Sequence, residues 1–482
     1  MSSSTSQSNG ITTAGADSFT PRPNLIIGLL VSSAFVMILN ETIMSVALPD
    51  LIVDLSITAT TAQWLTSGFL LTMAVVVPVT GYLIQRFPPR AMYQVSMGLF
   101  ILGTAIAAAA PGFTLLLTGR IVQAAGTAIM LPLLTTTLLI LIPAGRRGRA
   151  MGTISIVVAV APAVGPTLSG IILSALSWRW MFILVLPLAV IALVGGMAKL
   201  RVPAKTHRIP LDLASIVLSA VGFSGLVYGL SSMGESARAR AVLPIVVGLL
   251  ALTVFVFRQL RLQRHDRALL DLRPFRGRVF VVAVILMVLS MMSLFGAMVL
   301  LPLYMQDVLG VGTRATGLAL LPGGLVMGLL APLVGRLFDR WGPQPLVLPG
   351  AVVLCIALWL FTTLGESSSL AAVVTFHVVL SVGIALMLTP LLADALGSLP
   401  DALYSHGSAI VTTLQQVAGA TGTALFVTVM TSSSASAAAT ADAAGIRAAF
   451  LVAATLSIAA IVAALFVRGN RSTAPRPTNF GH

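Results

Sequence analysis

Charge is scarce in this chain. Only 9% of its 482 residues are Asp, Glu, Lys or Arg, where a soluble domain carries about 25%, and acids supply just 14 of them. Cysteine is nearly absent as well. The single one, Cys355, sits within an apolar run, so no intrachain disulfide can form and a thiolate metal site is not expected. The sequence has no glycine-rich phosphate loop ending in lysine, no metal-ligand spacing and no nucleophile–base pair. ATP-driven work and catalysis are therefore not expected; the chain is read as a non-enzyme without cofactors. The first 24 residues lack an apolar stretch, and no small-residue cleavage site interrupts the first apolar run, so no signal peptide is expected.

What is present is hydrocarbon. Hydrophobic residues make up 57% of the chain, and its mean hydropathy is +1.02. Apolar runs of ~20 residues, the length that spans a ~30 Å bilayer core as helix, recur from Leu25 to Val467. Alternating strand-length segments are absent, which leaves helices as the way to satisfy the backbone in lipid. Fourteen spans are expected, at about 25–51, 61–84, 91–110, 113–142, 150–175, 178–199, 210–232, 241–262, 279–305, 314–338, 345–365, 369–396, 405–431 and 445–467.

The net charge of +14 is topological. If both termini are cytoplasmic, 22 of the 28 lysines and arginines fall in cytoplasmic segments, among them the run from Arg258 to Arg278. Only Arg179, Arg238, Arg240, Arg314 and Arg447 then lie outside, and Arg120 lies within a span. That asymmetry is the positive-inside pattern of a multi-pass protein of the cell's inner (plasma) membrane, and it argues against nucleic acid as the partner of the basic residues.

The chain repeats itself. "GYLIQRFPPR" after the second span and "GRLFDRWGPQ" after the tenth occupy equivalent loops, which implies six helices, a two-helix insert and six more. The expected organisation is a cytoplasmic tail (1–24), an N-terminal six-helix bundle (25–199), two linker helices with basic loops (200–278), a C-terminal six-helix bundle (279–467) and a second tail (468–482).

Glu41 is the most informative residue, because it lies about 24 Å along the first span. A carboxylate at depth costs at least ~2.5–3.5 kcal/mol and is a functional-site candidate by default. Either it exchanges a proton with the two sides, or it is a structural carboxylate hydrogen-bonded to neighbours such as Asn40 or Ser45. Arg120 lies two turns into the fourth span. It either snorkels outward or sits beside a cavity and biases Glu41, with Gln123 one turn further on the same face. In the fifth span Gly152, Gly165 and Gly170 would allow close helix approach, and Pro162 and Pro166 would bend it. His377, Gln415 and Gln416 are either cavity-lining groups or packing and hydrogen-bonding residues. Met291, in the methionine-rich ninth span, either lines a promiscuous apolar surface or packs in the core.

Together these segments resemble the major facilitator superfamily, specifically its fourteen-helix drug:proton antiporters of the EmrB/QacA type. "LNETIMSVALPDL" resembles the first-helix motif with Glu41 at its acidic position. "LLLTGRIVQAAGTA" is similar to the fourth-helix motif that places Arg120, Gln123 and Gly126. "GPTLSG" looks like the fifth-helix antiporter motif, with Ser169 where a second glycine is usual. "WRWMFILVLP" and "LPLYMQDVLGVGTRATGLALLPGG" resemble further signatures, and "LPDALYSHGSAIVTTLQQVAGATGTAL" is closest to the lincomycin-resistance subgroup. The repeat motif keeps Gly81, Arg86 and Arg90 in its first copy but carries Gln85 in place of the family's aspartate; the second copy keeps Gly335, Asp339, Arg340 and Gly342. A charged latch between the halves is therefore expected at Asp339.

The resemblance implies an all-α integral membrane protein with the major facilitator fold. It implies proton-driven export of a small molecule, with Glu41 and Arg120 in proton coupling, and a chain that works as a monomer in the lipid bilayer. The substrate stays open between amphipathic drugs or antibiotics and an endogenous metabolite or lipid.

Overall fold

The computed structural model describes residues 23–57, 59–200, 202, 212–231, 238–433 and 442–467. Most of both expected tails lies outside these residues, although Pro23 and Asn24 already belong to the first helix.

Long helices follow one another without an intervening strand among the described residues. The first eight are α1 (Pro23–Asp54), α2 (Ala59–Arg86), α3 (Pro89–Ala108), α4 (Phe113–Leu141), α5 (Arg147–Ala175), α6 (Arg179–Lys199), α7 (Leu213–Ser231) and α8 (Arg238–Leu262). The remaining six are α9 (Arg278–Leu303), α10 (Thr313–Trp341), α11 (Gln344–Phe361), α12 (Leu370–Gly397), α13 (Tyr404–Ser433) and α14 (Ala443–Ala464). Among the described residues 13 of these helices are apolar and long enough to cross a membrane. The other, α5, has 29 residues and packs between α1 and α10. The molecule is a multi-pass membrane protein.

The boundaries follow from punctuation in the sequence. Pro89 opens α3 at a position where its missing N–H costs nothing. Gly342 closes α10 with a φ of +80°, open to glycine at no steric cost. Ser369 and Asp442 cap α12 and α14 by accepting from Ala372 N and Gly445 N. Prolines inside helices (Pro78, Pro132, Pro187, Pro244, Pro302, Pro390) are absorbed, as neighbouring helices allow in a membrane bundle.

Helices α1–α6 pack on one another, as do α9–α14, while α7 and α8 pair together and α7 leans on both α2 and α13. The two groups of six meet along two lines, α5 against α10 and α2 against α13. Small residues set these distances. A Cβ at Gly103 would come within 2.5 Å of Gln123 N and Gly119 O, so α3 and α4 touch backbone to backbone. Gly152 does the same for α5 against Ala331 of α10. Gly170 does not: it is exposed with nothing near its missing side chain, so the expected close approach is absent there. The side chains of Pro162 and Pro166 lie outside the described residues.

Even-numbered helices end, and odd-numbered ones begin, on one face. It carries Arg86, Arg90, Arg147, Arg149, Arg258, Arg261 and Arg340, and is called the basic face below.

Candidate functional site

The site is assembled from α1, α2, α3 and α4. Arg120, on the third turn of α4, is 1% exposed, so it does not snorkel outward. Its Nη1 donates to Asn40 Oδ1 of α1 at 3.2 Å and to Gln123 Oε1 at 3.1 Å. Gln123 Nε2 donates in turn to Thr104 Oγ1 of α3 at 2.8 Å. The Arg120 guanidinium lies 4.3 Å from the centre of the Phe69 ring of α2, a cation–π contact that strengthens away from water. Its Nε has no partner among the described residues. A guanidinium stays charged at any physiological pH, so this chain has buried a permanent cation and surrounded it with neutral amides.

Glu41 sits beside this cluster, half-buried. It interacts electrostatically with Arg120, yet the two form no ion pair among those of the described residues. Asn40 Oδ1 accepts from Arg120, and no hydrogen bond joins Asn40 to Glu41 among the described residues. The side chain of Ser45 lies outside the described residues. Next to Glu41, the Thr42 hydroxyl donates to Leu39 O at 3.0 Å and touches Gly165 of α5, where a side chain would have no room. Gly165 thus lets α5 press against α1 one residue from the carboxylate.

Asn40, Glu41, Arg120 and Gln123 are brought together as their positions suggest. Thr104, Phe69 and the Gly103–Gly119 contact complete the cluster but were not expected; the only signal was the small residue at positions 103, 104 and 119, and Phe69 gave none.

The other candidates are dispersed. His377 is 5% exposed, packed on Gly323 of α10 and beside the Leu320 carbonyl, with Nδ1 unpartnered. Gln415 and Gln416 on α13 are half-buried and make no side-chain hydrogen bond among the described residues, so they do not serve as polar glue. Met291 is 2% exposed and belongs to a buried hydrophobic cluster that runs through both groups of six helices.

The basic face holds the repeat motifs. Gly335 lies against Gly148 and Arg149 at the start of α5, so backbone meets backbone there. One turn later, Asp339 accepts from Gly148 N at 2.7 Å and from Arg149 N at 2.9 Å. Arg146, the N-cap of α5, supplies no side-chain cap, so Asp339 caps α5 from a different helix. The first copy is arranged likewise: Gly81 packs on His406 and Ala409 of α13, and Gln85 Nε2 donates to Ala402 O at 2.7 Å. The link in this first copy is neutral. Arg340 stacks on Trp341, half-buried Arg86 closes α2, and Arg90 donates to Met197 O at the end of α6. Between the copies Thr135 bonds Ser408, and Thr389 Oγ1 donates to Ser155 Oγ at 2.8 Å. These contacts hold the halves together at the basic face.

A family model of the Major Facilitator Superfamily matches residues 30–423. The chain belongs to that superfamily. As a major facilitator protein it is 42% identical over 411 residues to the lincomycin resistance protein LmrB of Listeria monocytogenes, covering 85% of this chain and 87% of that one. It is 41% identical over 410 residues to LmrB of Bacillus subtilis, with 84% and 85% covered. Among solved structures, the human organic anion transporter MFSD10 superposes with a TM-score of 0.66 at 14% identity, covering 92% of this chain and all of that one. At that identity the likeness speaks to the fold. The superfamily's fold accounts for the paired motifs of this chain, since Gly81 meets α13 and Gln85 the turn before it, as Gly335 and Asp339 meet the start of α5.

Proposed function

We propose that this chain is a proton-coupled antiporter that exports small amphipathic drugs or antibiotics by alternating access. The observation that carries the reading is Glu41, a half-buried carboxylate in the middle of α1 facing the permanently charged Arg120 without pairing to it. With Glu41 ionised the two charges balance; with Glu41 protonated the cluster carries a net positive charge in a medium where charge is expensive. A proton and a substrate then compete for one state of the cluster, and exchanging them changes which conformation is favoured. The relatives' link to lincomycin resistance supports drugs or antibiotics as the cargo.

In this reading the basic face is cytoplasmic, because it collects the positive charge, and both termini lie on that side of the inner (plasma) membrane. The halves are 25–199 and 279–467, with 200–278 as the insert, and one copy of the chain suffices. In this reading the conformation latched at the basic face is the one closed on the cytoplasmic side.

Glu41→Gln tests the proton step. It keeps the size and mimics the protonated form, so the protein should insert normally and lose uphill export. A pH gradient supplies ~1.4 kcal/mol per unit per proton, and a group that cannot release its proton harvests none of it. The assay is pH-driven lincomycin uptake into inverted proteoliposomes, with substrate-induced proton release measured on purified protein. Lincomycin concentrated by Glu41→Gln as by wild type would place the proton site elsewhere.

A further inference from the structure

A second carboxylate lies inside a helix and away from the Glu41 cluster. Asp394 is on α12, less than one turn before its end at Gly397, and opens into a pocket with Arg278, Val282, Ala283, Phe466 and Val467. These residues come from the start of α9, the end of α12 and the segment just after α14, so the pocket is at the basic face. Thr389 of the same helix faces Ser155 across the line between the halves. Five residues on, at ~100° per residue, Asp394 points well away from that line. The pocket therefore lies on the outer wall of α9–α14, at the depth where helices leave the hydrocarbon.

Its chemistry is two-signed and unsatisfied. Among the described residues neither Asp394 nor Arg278 belongs to an ion pair, and neither makes a side-chain hydrogen bond. Arg278 is the first residue of α9, whose N-cap Gly277 supplies no side-chain cap, so first-turn amides and a guanidinium bring positive charge to the pocket. Asp394 adds a carboxylate to the same lining. A molecule with a phosphate and an ammonium satisfies both. The guanidinium of Arg278 already lies over the Phe466 ring, 5.5 Å from its centre, which leaves that face unavailable to a quaternary ammonium. A primary ammonium, with hydrogens to donate to Asp394, fits instead.

The surroundings point to a lipid rather than a soluble metabolite. The pocket walls are otherwise apolar. From its edge an exposed stripe of Ile458, Val462 and Leu465, spaced three to four residues apart, runs along α14 toward the bilayer centre, and Ile285 of α9 is exposed one turn below Val282. We propose that this pocket binds the headgroup of an ethanolamine phospholipid, with its ammonium on Asp394, its phosphate at Arg278 and the start of α9, and its acyl chains along α9 and α14.

The test is native mass spectrometry of the detergent-solubilised full chain titrated with dioleoyl phosphatidylethanolamine, dioleoyl phosphatidylcholine or tail-free glycerophosphoethanolamine. Wild type should retain the ethanolamine lipid on the order of tenfold better than the choline lipid, the worth of a charge-assisted hydrogen bond, and should not retain the tail-free headgroup. Asp394→Asn should erase the preference while still binding both lipids, and Arg278→Gln should weaken both alike. Equal retention of the two lipids by wild type would overturn the proposal without recourse to any variant. So would an unchanged preference in Asp394→Asn, or retention of the tail-free headgroup equal to that of the lipid.

Discussion

Asp339 caps α5 from α10, and its removal should loosen the closed basic face by a calculable amount. Its two bonds, at 2.7 and 2.9 Å, reach the second and third residues of α5, amides that no residue of α5 itself caps. An N-cap lost to alanine costs about 1–2 kcal/mol, which shifts a two-state equilibrium about five- to thirtyfold. Asparagine caps nearly as well as aspartate, so Asp339→Asn should lose only the charge–dipole part, about 0.3–1 kcal/mol, or roughly two- to fivefold. Gln85→Ala gives up one neutral, exposed bond and should fall in the same lower range. Nitroxides at Arg146 and Gln344, both exposed on the basic face, would report separation of the halves by double electron–electron resonance. The lone Cys355 is buried and would first be replaced by serine. The expected order of the long-distance population is Asp339→Ala well above Asp339→Asn and Gln85→Ala, with wild type lowest. Equal populations in wild type and Asp339→Ala, or an asparagine variant as open as the alanine one, would refute the capping argument.

Gly103→Ala should destabilise by about 1–3 kcal/mol and lower transport, since its Cβ meets the backbone of α4 beside Gln123, whereas Gly98→Ala, with nothing within 4 Å, should be neutral; thermal melts and proteoliposome uptake measure both. Asp212, just ahead of α7, is held down to about 2, chiefly by its hydrogen bond from Arg258. Its folded pKa lies below the ordinary carboxylate value of about 4, so its contribution is present above that value and lost as pH falls through about 2; melts of wild type and Asp212→Asn should differ by a constant from pH 5 to 8 and converge in acid. A C-terminal alkaline phosphatase fusion should be inactive and one after Gly234 active, and reversed activities would overturn the topology.

The helices were legible because each needs only length and hydropathy, and both are local. The Arg120–Gln123 pairing was legible because three residues is one helical turn. Which way an all-apolar helix faces is decided by its neighbours, and α9 has no polar side to reveal it. Met291 is accordingly in the core, and Gly170, about a turn and a half from a glycine pressed against Thr42, faces open space. Asp394 sits at the inner end of its span, and its neighbours in the sequence do not show what its carboxylate meets. Here "ADALG" continues the helix to Gly397, and the acid is drawn into the wall of the bundle. Thr104 escaped notice for a simpler reason: a threonine in a membrane helix can satisfy itself on its own backbone, as this one also does with Phe100 O.

The unequal pair of links at the basic face sets how it comes apart. Along α5 and α10 the link is a carboxylate accepting from two backbone amides, seated on touching glycines, whereas along α2 and the segment leading into α13 it is a single amide hydrogen bond at an exposed edge. A structure fastened strongly along one edge and weakly along the other swings as a door does, about its stronger side. The first gap should appear between α2 and α13, where the neutral link of Gln85 makes that edge the free one.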